Sequence, residues 1–291
     1  IVVPVYRTPE VFLREMIDSV QKQTYTEWEL CIADASPTGE KLREELGKLR
    51  GKKKKESIMA VPEKETELTA LIREYQIRDG RIRYQILKEN RSIAENSNAA
   101  LEMATGDFVC LLDHDDLLEP DALYEVADKI VQDDRVDVIY TDEDKINSKG
   151  TKHLTPNMKP DFNLDLLRSN NYICHLFVVR RILVEKVGGF RKEFDGAQDY
   201  DFIFRCTEEA DRIAHVHKVL YHWRTHEKST SDNPDSKLYA FHAGKRAVEA
   251  HLQRMGVHAS VEETCDLGYY RVRYRVTGRP MVSILIPNKD Q

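Results

Sequence analysis

Short runs of apolar residues alternate with longer segments of helical apolar spacing through the first 140 positions of this sequence. A short apolar run bounded by polar residues is typical of a strand buried in a parallel sheet. Strands are predicted on this basis at 1–5, 29–33, 82–87, 108–112 and 136–140. Helices are predicted at about 10–23, 39–50, 64–78, 92–104 and 120–132. The alternation favours an α/β fold with a doubly wound, mainly parallel sheet flanked by helices.

The pattern changes in the second half of the chain. A helix that opens with acidic residues is predicted at 196–205, and two strand-like runs follow it at 213–216 and 218–223. A long helix at 236–255 and a hairpin built from 258–263 and 269–276 come last. We expect this helix and hairpin to form a C-terminal extension, residues 233–280, on the preceding domain.

Two strands at the ends of the sequence resemble each other. Each is apolar, is closed by a proline (Pro4 or Pro287) and is followed by polar residues. Such an internal repeat is the pattern of a second, similar domain that begins at 281–291 in a longer protein. The alternative is a coincidence between two short strands.

Composition describes an ordinary globular protein, with 291 residues, 41% apolar residues and 32% charged residues. The net charge of −6 argues against nucleic acid as the main partner. No run approaches the roughly 18 apolar residues of a membrane-spanning helix, and no signal peptide is visible. Five scattered cysteines without a CxxC or zinc pattern favour reduced core thiols. We therefore expect a cytoplasmic protein, and peripheral attachment at the inner membrane face is compatible with this expectation.

The apolar run Phe108–Leu112 ends abruptly in a cluster of carboxylates. Clustered acids repel and raise each other's pKa, and a divalent cation relieves this repulsion. Asp113 and Asp115 lie two positions apart on an extended segment, so both are expected to face one crevice, and their hard oxygens suit Mg²⁺ or Mn²⁺. The strand end is also where open α/β sheets bind ligands. The alternative is an acidic turn before a helix N-terminus.

Polar and aromatic residues follow other predicted strands. Pro4 and Tyr6 offer a ring-stacking surface, and Asp34 offers an acceptor that suits a nucleobase edge. Asn90, just ahead of the helix 92–104, and Asn98, inside it, are candidates for ribose or phosphate contacts. The helix N-terminus favours anions. Taken singly, Asp34 and Asn90 are more often turn and cap residues.

The order of these motifs resembles family 2 glycosyltransferases with the GT-A fold, similar to domains of bacterial surface-polysaccharide and rhamnan-type synthesis proteins. The resemblance covers about residues 1–232, with a nucleotide-binding half, 1–112, and a metal and acceptor half, 113–232. The motifs that carry it are Pro4-Val5-Tyr6, Asp34, Asn90 to Asn98, Asp113-His114-Asp115-Asp116, Gln198-Asp199-Tyr200-Asp201 and Tyr221-His222-Trp223-Arg224-Thr225-His226.

The resemblance implies that Asp113 and Asp115 form the family's DxD motif. Asp115 is then the chief metal ligand, with Asp113 near the ribose or the metal, and the metal bridges the diphosphate of a nucleotide sugar. Asp199 is the catalytic base that takes a proton from the acceptor hydroxyl, with inversion at the anomeric carbon. Gln198 replaces the Glu of many relatives, and Asp201 is a structural neighbour. The alternative for Asp199 is a helix N-terminal carboxylate.

The family's R-x-H loop corresponds to Arg224 and His226. The resemblance implies that His226 completes the metal shell and Arg224 holds the diphosphate, with His222 as a competing ligand. Asp142, in a segment similar to one near the donor sugar, is a candidate sugar contact, and a solvated acidic turn is equally compatible.

One departure falls on the expected phosphate contact, because relatives usually have Gly where Ser92 lies and often Arg where Ser97 lies. The lysine-rich segment 43–65 is an insertion with no assigned role.

The function predicted is a metal-dependent, inverting glycosyltransferase that moves a sugar from a nucleotide-diphosphate sugar to a hydroxyl of a growing cell-surface glycan. A UDP-sugar is the default donor, and the acceptor is a glycan or a lipid-linked glycan. The alternatives are a nucleotidyltransferase or other nucleotide-sugar enzyme, and a non-catalytic glycan-binding domain. No glycine-rich phosphate loop follows the first strand, which argues against a nucleotidyltransferase.

Overall fold

The computed structural model describes residues 1–39, 65–225 and 238–289. Within these ranges, eight strands form one central sheet and two more form a separate hairpin. The strands are β1 (Val2–Val5), β2 (Leu30–Asp34), β3 (Ile82–Ile86), β4 (Phe108–Leu111), β5 (Leu117–Leu118), β6 (Val138–Ile146), β7 (Phe177–Arg180), β8 (Ile213–Arg224), β9 (Ala259–Glu263) and β10 (Tyr270–Tyr274). The order across the large sheet is β3-β2-β1-β4-β7-β6-β8-β5.

The first four strands run parallel, as predicted, and helices connect them. The helices of this half are α1 (Glu10–Gln21), α2 (Thr69–Arg78) and α3 (Ile93–Glu102). Helix α1 buries one apolar stripe that includes Leu13 and Ile17, so its helical spacing in the sequence reflects packing on the sheet.

The other half of the sheet departs from a parallel arrangement. Strand β7, which the sequence pattern does not predict, runs antiparallel to both β4 and β6. The short strand β5 also pairs antiparallel, with β8. Because β7 is reversed, its first residue, Phe177, pairs with Leu111 at the carboxyl end of β4 and with Tyr140 within β6. This reversal brings the segment before Phe177 to the edge of the sheet where ligands are expected.

The two strand-like runs predicted at 213–223 form one strand, β8, that pairs in parallel with β6. The pairing register shifts between Thr141 and Asp142 and again before Glu143. The first shift leaves the polar residues His217 and Lys218 outside the register. The bulge therefore explains the polar interruption that divides the strand in the sequence pattern.

The remaining helices flank the sheet, and the last of them is part of the C-terminal extension. They are α4 (Ala122–Gln132), α5 (Leu164–Ser169), α6 (Arg181–Val187), α7 (Gln198–Glu209) and α8 (Leu238–Arg254), with a 3₁₀ turn at Lys192–Phe194. The predicted terminal helix and hairpin are confirmed as α8 and β9–β10. His251 of α8 stacks on Phe204 of α7 with ring centroids 4.4 Å apart, so the extension packs directly on the domain.

Several predictions fall at the margins of the described ranges. The helix predicted at 39–50 and most of the lysine-rich segment 43–65 lie outside the described residues. Residues 281–289 lie in no strand, and Met281 and Leu285 are almost fully exposed. The second domain from 281, and the division of residues 1–280 into domains, stay predictions. Within the described ranges, no helix combines the length and apolar character that crossing a bilayer requires.

We expect Gly244→Ala to destabilise the fold although alanine normally favours a helix. A methyl group at this position of α8 would overlap the hydroxyl of Tyr270, which donates to Phe241 O at 2.8 Å. Overpacking of this kind costs about 1–3 kcal/mol, so thermal unfolding should begin several degrees lower. Gly80→Ala is the matched control, because its added carbon meets no described atom within 4 Å. Equal melting temperatures for the two variants would contradict this packing.

Candidate active site

A cleft of about 900 Å³ opens at the carboxyl ends of β1 and β4. Helices α3 and α7 and the β9–β10 hairpin contribute to its walls. Pro4, Asp113 and Asp199 all line it. The topology therefore brings the predicted acidic strand end and the predicted base into one shared space.

The acidic turn after β4 contains a carboxyl group with no solvent exposure, that of Asp116. The Tyr221 hydroxyl donates to its Oδ2 at 2.5 Å, and the Arg224 backbone N–H donates to its Oδ1 at 2.7 Å. Burial, reinforced by the charges of Asp115 and Asp113, raises the pKa of Asp116 well above its ordinary value. A cation beside this turn would relieve the same repulsion.

Asp113 and Asp115 are placed differently. The Asp113 side chain is 53% exposed and faces the cleft. The carboxylate of Asp115 lies 3.5 Å from His114 Nδ1, and its backbone oxygen accepts from Arg224 Nε at 2.6 Å. Ligand atoms that lie within 4.8 Å of one another come from Asp113, Asp116 and His175. The role of Asp115 as chief ligand stays a prediction.

His175, which the motifs do not single out, completes this group of donors. Its ring stacks on Tyr221 at 4.5 Å and meets Trp223 edge-on, while Nε2 lies 3.9 Å from Asp113 Oδ2. The peptide bond between His175 and Leu176 is cis. His175 comes from the segment before β7, whose reversed direction carries it to the cleft. A strand prediction at 177–180 is the signal that would have found it.

Asp199 lies in the first turn of α7 and faces the cleft. Asn171 Nδ2 donates to its Oδ2 at 2.9 Å. Burial raises the pKa of Asp199, the His175 imidazole and the Tyr200 backbone N–H oppose the rise, and Asp113 adds to it. A carboxylate of raised pKa that lines a cleft suits proton abstraction. Asp199 also lies at a helix N-terminus, as the alternative interpretation expected. The interpretation as a base and the interpretation as a helix N-terminal carboxylate are therefore compatible.

The second acid of the motif, Asp201, has a structural role. It is fully buried and accepts from Arg205 Nε at 2.9 Å and from Arg191 Nε at 3.0 Å. Arg205 also donates to backbone oxygens of Val187, Gly188 and Gly189. This network fastens the start of α7 to the loop before it.

A buried ion pair lies beside His175. Lys159 Nζ is 3.1 Å from Glu143 Oε2, and it also donates to the Ile173 and His175 backbone oxygens. The His175 backbone N–H donates to Glu143 at 3.2 Å. Glu143, on β6, lines the cleft. Its contacts with Lys159 and the His175 backbone connect β6 to the loop that carries His175.

Asp142, the candidate sugar contact, does not line the cleft. It is fully buried, and its Oδ1 accepts from the Lys159 backbone N–H and lies 2.8 Å from His215 Nε2. The expected assignment is corrected here: the segment offers Glu143 and Asp144 to the cleft instead. The β-bulge at Asp142 breaks the regular alternation of side chains and accounts for the difference.

Arg224 is also corrected, because its side chain is fully buried and does not line the cleft. Its guanidinium lies 2.7 Å from Glu15 Oε2 and donates to Ser148 O at 3.0 Å. It holds the acidic turn from behind rather than a diphosphate. His226 lies outside the described residues. His222 lines a second, smaller cavity.

The nucleotide half presents two of its predicted residues. Pro4 lines the cleft, and Tyr6 is 41% exposed. Asp34 is fully buried, and its carboxylate accepts from Thr66 at 2.6 Å and from Tyr84 at 2.9 Å. For Asp34 to accept from a nucleobase, these hydroxyls would have to release it, and its binding role stays a prediction.

The two asparagines of the α3 region bond within the protein. Asn98 exchanges two hydrogen bonds with the backbone of Phe190, at 2.8 and 2.7 Å, and does not line the cleft. The phosphate role expected of Asn98 is therefore corrected to fastening α3 to the loop before α7. Asn90 Oδ1 accepts from Asn96 Nδ2 at 2.7 Å, and its role stays a prediction.

The comparison with known families matches this architecture. Residues 63–188 match the model of glycosyl transferase family 2. This stretch carries the family's sequence pattern and is less than half of the chain. The whole chain is 40% identical over 293 residues to the uncharacterized protein y4gI of Sinorhizobium fredii, covering all of this chain and 29% of that protein. It is 35% identical over 291 residues to the O-antigen biosynthesis protein RfbC of Myxococcus xanthus, again over the whole chain and 21% of RfbC. The chain thus spans less than a third of either relative.

Solved structures confirm the predicted GT-A fold. Residues 1–349 of TarS from S. aureus, in complex with UDP-GlcNAc, superpose with a TM-score of 0.61 at 18% identity, covering 86% of this chain and 65% of that one. The mannosyltransferase PcManGT from Pyrobaculum calidifontis, in complex with GDP-Man and Mn²⁺, superposes with a TM-score of 0.52 at 18% identity, covering 87% and 62%.

The raised pKa of Asp116 predicts how the stability of metal-free protein depends on pH. A carboxyl group whose pKa is raised by folding stabilises the fold below its unfolded pKa, and this stabilisation is lost as pH rises through the folded value. In EDTA, wild-type protein should lose up to about 1.4 kcal/mol of stability per pH unit across that interval. Asp116→Asn should lack this loss, as judged by urea unfolding between pH 4 and 8.

Asp107→Asn, which changes an exposed acid at the opposite end of β4, is the control and should behave like wild type. A wild-type pH profile that coincides with that of Asp116→Asn would show that Asp116 is not the titrating group.

Proposed function

We propose that this domain transfers a sugar from a nucleotide-diphosphate sugar to a hydroxyl group of a growing surface glycan, with a bound divalent metal and with inversion at the anomeric carbon. The observation that carries the proposal is the shared cleft of Asp113 and Asp199. A carboxylate suited to a cation and a carboxylate suited to proton abstraction line this one space, which supports the proposal. The family match and the similarity to the O-antigen biosynthesis protein RfbC support a surface glycan as product.

The donor set in the cleft fits a divalent metal. Asp113, Asp116 and His175 offer two carboxylates and an imidazole within 4.8 Å of one another, and the charge of the half-exposed Asp113 repels that of the buried Asp116. When bound, such a metal would neutralise charge on the departing diphosphate. The Mn²⁺ of the PcManGT complex supports this choice. The Tyr221 ring and hydroxyl hold His175 and Asp116 in place for this role.

Asp199 is the proposed base. Its carboxylate accepts the proton of the acceptor hydroxyl as that oxygen forms a bond to the anomeric carbon and the bond to the diphosphate breaks. Asn171 Nδ2 donates to Oδ2 of this carboxylate and so restrains its orientation in the cleft. Attack opposite the leaving group inverts the configuration.

Aromatic and apolar residues of the predicted C-terminal extension line the cleft, among them Phe241, Leu267 and Tyr269. Trp223 of β8 lines it as well. Pyranose rings present apolar faces that stack on aromatic side chains. We therefore assign the extension to acceptor binding.

We expect Asp199→Asn to reduce glycosyl transfer by about 10²- to 10⁴-fold, the range of a lost general base. Nucleotide affinity in Mn²⁺ should remain within about twofold of wild type, because the amide keeps the shape of the side chain. Transfer is followed by nucleoside diphosphate release, and affinity by calorimetry. Glu209→Gln, an acid-to-amide change at the exposed far end of the same helix, is the matched control. Full turnover in Asp199→Asn would exclude this residue as the base.

We expect one of UDP, GDP, dTDP and CMP to raise the melting temperature in Mn²⁺ and to lose that effect in EDTA. A ligand at about 100 times its Kd adds roughly 2.7 kcal/mol of apparent stability. Donor hydrolysis measured with the stabilising nucleotide sugar then separates the alternatives. A glycan-binding domain would release no nucleoside diphosphate, and a nucleotidyltransferase would instead release pyrophosphate from a nucleoside triphosphate and a sugar phosphate.

A further inference from the structure

We propose a second divalent-metal site, of the zinc class, formed by Asp144, His153 and His222. These three residues are called here the His–Asp cluster. His153 and His222 line a cavity of about 270 Å³ and do not line the cleft, whereas Asp144 lines the cleft. The proposal does not depend on the proposed glycosyl transfer.

The ligand atoms already converge. His222 Nδ1 lies 2.6 Å from Asp144 Oδ1, and His153 Nδ1 lies 2.8 Å from Asp144 Oδ2. The two imidazole rings are 4.7 Å apart and nearly perpendicular, so both can direct a nitrogen to one point. Zinc bonds of about 2.0–2.2 Å place tetrahedral ligand atoms roughly 3.3–3.6 Å apart. A small outward shift of each side chain would therefore admit the ion.

An orienting group stands behind one imidazole. Glu119 Oε1 lies 3.1 Å from His222 Nε2, the nitrogen that faces away from Asp144. A carboxylate on the far nitrogen of a ligating histidine fixes its tautomer and raises its basicity, and this arrangement recurs at metal sites. Glu119 thus has the position that a zinc-bound His222 requires.

The elements that carry the ligands are well ordered relative to one another. Asp144 and His222 are paired in register on β6 and β8. His153 forms a bridge with Ile146, and its loop is closed by the Leu154 N–H, which donates to Lys145 O at 2.7 Å. A site on strands and a hydrogen-bonded loop needs little reorganisation to bind.

The charge around the cluster favours a cation. Glu15, Asp18 and Glu119 line the cavity, and Lys22 is the basic residue among its described lining. Glu15 lies against Arg224, so that one carboxylate is compensated. Asp144 is only 6% exposed and has imidazoles as partners, so a metal would supply the charge that pairs with it.

The donor set distinguishes this site from the two other His–carboxylate groups among the described residues. Two imidazoles and one carboxylate suit Zn²⁺ or Co²⁺, whereas the cleft group has one imidazole and two carboxylates. The group Asp161, His215 and His217 has the same composition, and Asp142 Oδ1, 2.8 Å from His215 Nε2, has the place there that Glu119 has beside His222. Asp161 and His217 are 80% and 63% exposed, however, whereas Asp144 and His222 are both buried. The His–Asp cluster is therefore the better-formed site.

A metal here would fasten one wall of the cleft. His153 belongs to the loop 147–157, and Leu154, Thr155 and Asn157 of this loop line the cleft. Binding would tie the loop to β6 and β8 at His153. The site thus stabilises the cleft without contacting its reacting groups.

The test uses metal-stripped protein titrated with Zn²⁺ in competition with a chromophoric chelator, and with Co²⁺ by visible absorption. Wild type should bind one ion at the His–Asp cluster. Glu119→Gln should lower the affinity for this ion roughly 10- to 100-fold. His153→Gln should lower it by more than that, so that the ion is lost. His242→Gln is the matched control, because the two histidines have similar surroundings. His242 is 58% exposed and lies 2.6 Å from Glu263, and His153 is 55% exposed and lies 2.8 Å from Asp144. The series is repeated in an Asp113→Asn background, which removes a donor of the cleft group.

Hydrogen exchange supplies a second readout, since Zn²⁺ should slow exchange at 147–157 in wild type and in His242→Gln but not in His153→Gln. Equal Zn²⁺ affinity in wild type and His153→Gln would overturn the proposal. Loss of the ion in His217→Gln but not in His153→Gln would overturn it as well, by assigning the ion to the other group. Neither readout uses a nucleotide or a sugar, so failure here leaves the proposed transfer untouched.

Discussion

The hydrogen bond from the Tyr221 hydroxyl to the buried carboxyl of Asp116, 2.5 Å long, holds the two parts of the candidate site together. Asp116 follows the parallel half of the sheet, and Tyr221 lies on β8 in the other half. The same hydroxyl accepts from the Asp113 backbone N–H, and the same ring supports His175. One tyrosine therefore contacts all three members of the candidate donor set. Without it, Oδ2 of a fully buried acid would lose the hydroxyl that donates to it, and the Arg224 backbone N–H at Oδ1 would remain.

Charge buried behind the acidic turn serves geometry more than stability. The Arg224 side chain has no exposure, and it contacts Glu15, Ser148 and the backbone of Asp115. Desolvation offsets most of the attraction in such a pair, and buried ion pairs often contribute little net stability. The network instead fixes the conformation of the acidic turn, so that the Asp113 side chain faces the cleft. A basic residue that a motif associates with phosphate is thus committed to the scaffold here.

The sequence predicts the parallel half of the fold and the shared cleft because both follow from local patterns. Apolar runs locate β1 to β4, and parallel strands place their carboxyl ends, including Asp113, at one edge. Residues that depend on pairing between distant segments could not be predicted in this way. His175 reaches the cleft through the reversal of β7, and Asp142 leaves it through a bulge in the pairing with β8. Asn98 shows the same limit, since its partner Phe190 is distant in sequence.

The C-terminal extension packs against the start of α7, and this packing helps to position Asp199. Tyr200, the next residue, donates to Leu167 O and packs against Tyr270 of the hairpin with ring centroids 6.3 Å apart. Asp201, one residue further along the helix, is held by Arg205. The two residues that follow Asp199 are therefore both held by partners outside the first turn of α7. The hairpin lines the cleft and packs on Tyr200, so a displacement of the hairpin would also displace the turn that carries Asp199.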